Sequence, residues 1–319
     1  MRSGFRLVMY PRMADSCNSE KVSAPEEEEG AIRRDSLQNA SASRWSVTDE
    51  LTRALPLATV TPLESDPEAD EDWLEIIAEV DAIVECLGGS APISYLSSKL
   101  IKRTEEAAQV KRHATAGKLV YLWTSGYLLH NDDRFTSQSE FTPALNPPAK
   151  ISWRPAVEKQ LTTSTALDGI VIRPPLIYGG SGSITALIFK QARIAGKESK
   201  ISWPGSPGLR WPTAHVDDVA QAFRLAVEKA PLVRGLVLDV ANSAAESINA
   251  LLDHLCAYTG RPADGWEYRK SASPLENALV RTVVVRSSRA TSLLGRRPTK
   301  LSLIDGLPRY FETFKSYTH

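Results

Sequence analysis

The residues best placed for chemistry lie between Asp168 and Val219. The stretch opens Asp168-Gly169-Ile170-Val171-Ile172-Arg173-Pro174-Pro175-Leu176-Ile177-Tyr178-Gly179 and closes Arg210-Trp211-Pro212-Thr213-Ala214-His215-Val216-Asp217-Asp218-Val219. A turn at Leu167-Asp168-Gly169 is expected to feed a β-branched apolar run, which Pro174 and Pro175 stop because proline cannot donate to a ladder. Open α/β sheets bind ligands where a parallel strand ends at a Pro/Gly-rich loop of this kind. His215 can titrate near neutrality, although a lone histidine before a helix reads first as a packed, hydrogen-bonded group. Farther upstream, Arg154 cannot shed its proton, so it can bind an anionic or carbonyl group but cannot be a base. With Glu158 four residues on, it also reads as a helix ion pair.

The elements that must position these groups alternate along the chain. Asp81 to Cys86 reads as a strand ending at Gly88 and Gly89, which double as an ordinary strand-to-loop turn. A helix over Ser94 to His113, with Leu96, Leu100, Ala107 and Val110 inward, closes at Gly117, and Lys118 to Gly126 forms the next strand. Lys150 to Leu161 reads as a helix. At the close of the central stretch, Asp217 and Asp218 suit the positive end of a helix with Val216, Val219, Ala220, Phe223 and Val227 on its apolar face. Gly235 to Ala241 and Trp266 to Arg269 are further strands, with a helix through Ile248, Leu251, Leu252 and Leu255 between them. Leu57 to Leu63 is a candidate strand, and the polar, acidic segment 14–46 reads as a disordered insert. This alternation argues an α/β fold with a parallel sheet.

Composition narrows the classes. Lys plus Arg and Asp plus Glu both number 38, which gives no electrostatic case for nucleic acid or an anionic membrane. No apolar run is long enough to span a bilayer. Cys17, Cys86 and Cys256 are too few and scattered for a disulfide framework or a metal site, which points to a reducing, cytoplasmic setting.

The strand ending in Arg173-Pro174 before Tyr178-Gly179, followed by His215-Val216-Asp217-Asp218-Val219-Ala220, resembles the extended and atypical short-chain dehydrogenase/reductases, the NAD-dependent epimerase/dehydratase-like group. Leu294-Gly295-Arg296-Arg297-Pro298 resembles the turn before that group's last helix, so the likeness covers about Leu57 to Phe314. It implies a Rossmann-type doubly wound parallel sheet with a small C-terminal α/β subdomain. Residues 1–178 and 212–242 would form the NAD(P)-binding domain, and 179–211 and 243–319 the substrate-binding subdomain.

The resemblance also assigns roles. Thr124 and Ser125 stand where the group has its catalytic Ser or Thr; Gly88, Gly89, Pro174 and Pro175 would lie along the cofactor, and Tyr178, Gly179, Arg210 and His215 would face substrate. The group's Tyr-x-x-x-Lys pair does not follow Ser125. Anchoring on Glu158 places Arg154 at the lysine and Lys150 at the tyrosine, anchoring on Lys159 places Pro155 at the tyrosine, and neither register supplies a phenol. Tyr95-x-x-x-Lys99 precedes the serine and reads as an ordinary helical pair, while Tyr127 offers a phenol from the loop.

The group's glycine-rich turn is also missing from the first half of the chain. Gly4 to Arg12 looks like the group's second strand, with Arg12 near the cofactor ribose favouring NADP over NAD, or else it is an unrelated strand of a degenerate domain. Two functions follow. One is an NAD(P)-binding oxidoreductase or epimerase-like enzyme acting on a small molecule through a non-standard site, in which Ser125 and Arg154 assist. The other is a catalytically inactive binding or regulatory protein on the same scaffold, without cofactor. A sheet edge left by a missing first strand would also favour a homodimer.

Overall fold

The computed structural model describes residues 7–9, 71–87, 93–113, 115–180, 183–194 and 199–317. They belong to two compact units, Met1–Met13 with Ile76–His319, and Ala14–Glu75. In the second unit the described residues form one short helix, α1 (Glu71–Glu75). The expected insert at 14–46 and strand at 57–63 lie outside the described residues.

The first unit is built on a five-stranded parallel sheet. Its strands are β1 (Leu7–Met9), β2 (Ala82–Glu85), β3 (Leu119–Thr124), β4 (Leu167–Arg173) and, after an excursion, β9 (Val237–Asp239), in spatial order β1-β2-β3-β4-β9. Ile170, Val171 and Ile172 are fully buried, as a strand covered on both faces requires. β2 resembles the group's fourth strand, whose neighbour in the classic order 3-2-1-4-5-6 is the first. Leu7–Met9 lies beside β2, so it takes the first strand's place rather than the second strand's place expected for Gly4 to Arg12.

Helix α2 (Ile93–Lys111) joins β2 to β3, and α3 (Arg154–Thr162) precedes β4. Leu96, Leu100 and Ala107 are buried on α2 as expected, but Val110 is exposed. The expected turn at Leu167-Asp168-Gly169 is instead the start of β4. Gly169 is needed there for a close approach: a Cβ on it would lie 2.2 Å from the Leu161 carbonyl oxygen of α3.

Past Pro174-Pro175 the chain leaves the main sheet and forms small pairs. β5 (Leu176–Tyr178) runs parallel to β8 (Thr213–His215), and β6 (Ile201–Pro204) parallel to β11 (Trp266–Arg269). β7 (Arg210–Trp211) runs antiparallel to β10 (Glu246–Ser247). α4 (Ala186–Ile194), α6 (Ile248–Tyr258) and α7 (Leu307–Ser316) pack a separate aromatic-rich core through Phe189, Trp203, Trp211, Phe311 and Phe314. Helix α5 (Val216–Glu228) lies on the main sheet through Val219, Ala222 and Ala226. Of the expected apolar face, Val219 is buried and Phe223 and Val227 pack against this core, while Val216 and Ala220 are exposed.

Candidate functional site

Because β2, β3, β4 and β9 are parallel, Glu85, Thr124, Arg173 and Asp239 all arrive at one edge of the sheet. The loops beyond stay together. The Ser125 amide donates to the Ile172 carbonyl at 2.8 Å, and the Tyr127 amide to the Pro174 carbonyl at 3.1 Å. Pro174 and Pro175 are both buried, where they turn the chain from β4 into β5.

Ser125 is also buried, and its hydroxyl donates to Glu158 Oε1 at 2.7 Å. The same carboxylate accepts from Arg173 Nε at 2.8 Å and from a terminal nitrogen of that guanidinium at 2.5 Å. This fork is the planar, two-bond match that arginine and carboxylate favour, and it removes both charges from solvent together. The expected Arg154–Glu158 ion pair does not form, because Glu158 faces Arg173 under the sheet edge.

Arg154 points instead along β3. It donates to the Thr124 carbonyl at 3.2 Å, and its guanidinium carbon lies 5.0 Å from the Trp153 ring centre and 5.6 Å from that of Trp123. The two indoles are 5.9 Å apart and tilted by 56°. The side chain remains partly exposed.

Behind Trp123 sits a buried carboxyl that the sequence did not flag. Glu85 accepts from Ser97 Oγ at 2.5 Å, Tyr121 Oη at 2.6 Å and Trp123 Nε1 at 3.1 Å. Burial pushes its pKa up, against the pull of these donors and of Arg154. The signal available was an acid closing the apolar run Ala82-Ile83-Val84. Its backbone carbonyl takes the Thr124 hydroxyl at 2.6 Å, and Cys86 Sγ lies 3.3 Å from that hydroxyl. A second buried pair was also missed: His130 Nε2 lies 3.0 and 2.9 Å from the two Asp239 oxygens.

The structure brings Thr124, Ser125 and Arg154 together at this edge. The residues expected to face substrate lie elsewhere. Tyr178 is buried, and its hydroxyl donates to the Leu301 carbonyl at 2.7 Å while accepting from Asn242 at 3.2 Å. His215 caps α5, with Nδ1 accepting the Asp217 amide at 3.1 Å, and its ring packs against Tyr178 and Tyr310. Gly179, at φ +96°, leaves room for that ring: a Cβ there would meet His215 Nε2 at 2.6 Å. Arg210 is exposed on β7. Asp218 does cap backbone amides, those of Thr299 at 2.9 Å and Lys300 at 3.2 Å.

Lys150, at the expected tyrosine position, is exposed. Tyr127 is buried with its hydroxyl unpartnered among the described residues, and burial raises its pKa. Arg12, Gly88 and Gly89 lie outside the described residues. Among the described residues no cluster of His, Cys, Asp and Glu could hold a metal ion, and no helix is long and apolar enough to cross a membrane.

No protein-family model matches the sequence, and no curated protein does. Solved structures do match. A dTDP-glucose 4,6-dehydratase from Bacillus anthracis in complex with NAD superposes with a TM-score of 0.65 at 15% identity, over 80% of this chain and 79% of that one. A UDP-glucuronic acid 4-epimerase from Bacillus cereus in complex with NAD gives 0.65 at 15% identity, over 86% and 87%. RMD from Pseudomonas aeruginosa, complexed with NADPH, gives 0.63 at 15% identity, over 85% and 96%. With its parallel sheet and the elements packed on it, the chain shares the fold of these three structures.

Proposed function

We propose that the chain is a small-molecule-binding protein on this scaffold that does not perform hydride transfer by a tyrosine–lysine pair. The observation that carries this reading is the Ser125–Glu158–Arg173 chain. The serine's proton is committed to Glu158, and the helix that should bring a phenol to the serine brings that carboxylate instead. A phenol is a poor base near neutral pH unless a cation one helical turn away holds its phenolate. Neither phenol near this edge meets that condition: Tyr121 donates to Glu85, and Tyr127 is sealed in the core.

The residues present do not fit a dinucleotide. β1 occupies the first strand's place, yet the residues after it read Tyr10-Pro11-Arg12-Met13-Ala14-Asp15, and the next glycine is Gly30. A pyrophosphate needs bare glycine backbone at that turn to approach the helix behind it.

A second reading has its own support. Ser125 still ends β3, Arg154 still reaches solvent beside it, and the structural neighbours hold NAD or NADPH. In that reading the chain is a nicotinamide-dependent oxidoreductase or epimerase-like enzyme with an arginine in place of the usual lysine.

Titration of NADPH and NADH, followed by quenching of the seven tryptophans, separates the two. The expected result is no saturable quenching. Saturable binding that Pro175→Trp and Gly179→Trp abolish while the fold survives would show that a dinucleotide fits after all and would favour the second reading over the first.

A further inference from the structure

We propose that Arg154 is an anion-binding centre at the carboxyl edge of the sheet, and that Glu85 is a positioning residue behind it, fixing Trp123 beneath the guanidinium and balancing its charge. The inference rests on the reading above that this edge binds a small molecule, and it names the chemistry of that molecule: an oxyanion, carboxylate or phosphate.

The geometry leaves few other uses for the cation. Trp123 and Trp153 lie 5.6 and 5.0 Å from the guanidinium carbon and 5.9 Å from each other, so both indoles stand on one side of it and leave the other side open. Of the five N–H groups an arginine carries, one is used on the Thr124 carbonyl. The others have no partner among the described residues, and the side chain reaches solvent. What remains free is the edge of the plane, where paired N–H groups match two oxygens of a carboxylate or phosphate. Glu158, the acid that would quench this cation from the next helical turn, is held by Arg173.

Glu85 completes the arrangement. Its carboxylate orients Trp123 through the indole N–H at 3.1 Å, with Ser97 of α2 and Tyr121 of β3 also holding it. The groups acting on Glu85 are Ser97 from α2, Tyr121 and Trp123 from β3, Arg154 from α3 and the adjoining Cys86. Burial raises the Glu85 pKa, so as pH falls through that raised value the carboxyl takes up a proton. Its negative charge then leaves the neighbourhood of Arg154, and an anion binds more tightly. Anion affinity should therefore rise as pH falls, through Glu85.

The test uses the full chain and sodium sulfate, which keeps its charge over the range used, at constant ionic strength set with sodium chloride. Tryptophan fluorescence reports binding. A saturable response is expected, weakened about tenfold or more in Arg154→Met and less in Arg154→Lys, which keeps the charge but loses the fork. Glu85→Gln should bind sulfate about threefold tighter at the alkaline end and show a flattened pH profile, because the neutral amide keeps the shape without the charge. Trp123→Phe keeps a ring but removes the indole donor, and should shift the profile without abolishing binding. Thermal unfolding checks that each variant is folded.

Sulfate binding equal in Arg154→Met and the parent, no saturable response in the folded parent, or an unchanged pH profile in Glu85→Gln would each overturn the proposal. NADPH titration bears separately on the preceding reading. Nicotinamide binding together with Arg154-dependent sulfate binding would count against the preceding reading and leave the anion centre standing.

Discussion

Two regions carry the residues that most resemble a known machinery, and they use them in opposite ways. Around β5 and α5, the Tyr178 and His215 rings pack together beside Gly179, and Tyr178 and Asp218 hydrogen-bond to the segment at residues 299–301. At the ends of β3 and β4, Ser125 stands in the expected place, but its partners are Glu158 and Arg173, and the cation beside it is a partly exposed arginine. The first region keeps the pattern because the pattern holds the fold. The second keeps the strand end and gives its serine different partners. A motif can therefore be retained where it packs and altered beside it.

The largest expected effect breaks the second region. Glu158→Leu leaves Arg173 buried without its acid and should cost about 3–5 kcal/mol in urea unfolding, whereas Glu158→Leu with Arg173→Met should recover most of the loss. A double variant no more stable than the single one would show that the fork itself stabilises the fold.

The next three act on the first region. Asp218→Ala removes the acceptor for Thr299 and Lys300 and should cost about 2–3 kcal/mol. Burial raises the Asp218 pKa, but the bonds from Thr299 and Lys300 and the charge of Arg296 outweigh it and hold the carboxyl below its ordinary 3.8. A depressed carboxylate stabilises above its unfolded pKa and loses that stability as pH falls through the folded value. The parent should therefore lose stability below about pH 4 more steeply than the alanine variant.

Gly179→Ala combines a left-handed backbone with a clash against His215 and should cost about 1–2 kcal/mol by thermal unfolding. His215→Ala loses a cap worth about 1 kcal/mol. Burial lowers the His215 pKa, so its neutral ring stabilises the fold above about pH 6.5, and that contribution fades as pH falls through the folded value. A parent whose stability is flat from neutrality into mild acid would contradict this assignment.

Much of the fold was legible because period and punctuation agree with it. Trp266 to Arg269 is a strand to the residue, and Ser94 to His113 and Lys118 to Gly126 match α2 and β3 to within two residues at each end. Gly169 misled because glycine marks both a turn and a close approach, and only the Leu161 carbonyl beside it tells which. Val216 misled because the first residue of a helix leans away from the sheet that the next turn contacts. The site was half legible. Ser125 and Arg154 are local to their elements, but the Glu158–Arg173 fork joins residues 15 apart, and the Glu85–Trp123 bond residues 38 apart. Pairings of that kind depend on strand order, which periodicity does not encode.

The Trp123–Trp153 pair gives the chain an optical signature of its own. Two indoles 5.9 Å apart and inclined by 56° share their excited states, so their transitions split into a circular-dichroism couplet whose sign follows the handedness of the pair. Trp203 and Trp211, 5.9 Å apart at 70°, contribute a second couplet from the other core. Trp153→Phe isolates one from the other, so a rearrangement of the two indoles beside Arg154 would be read by polarised light without a label.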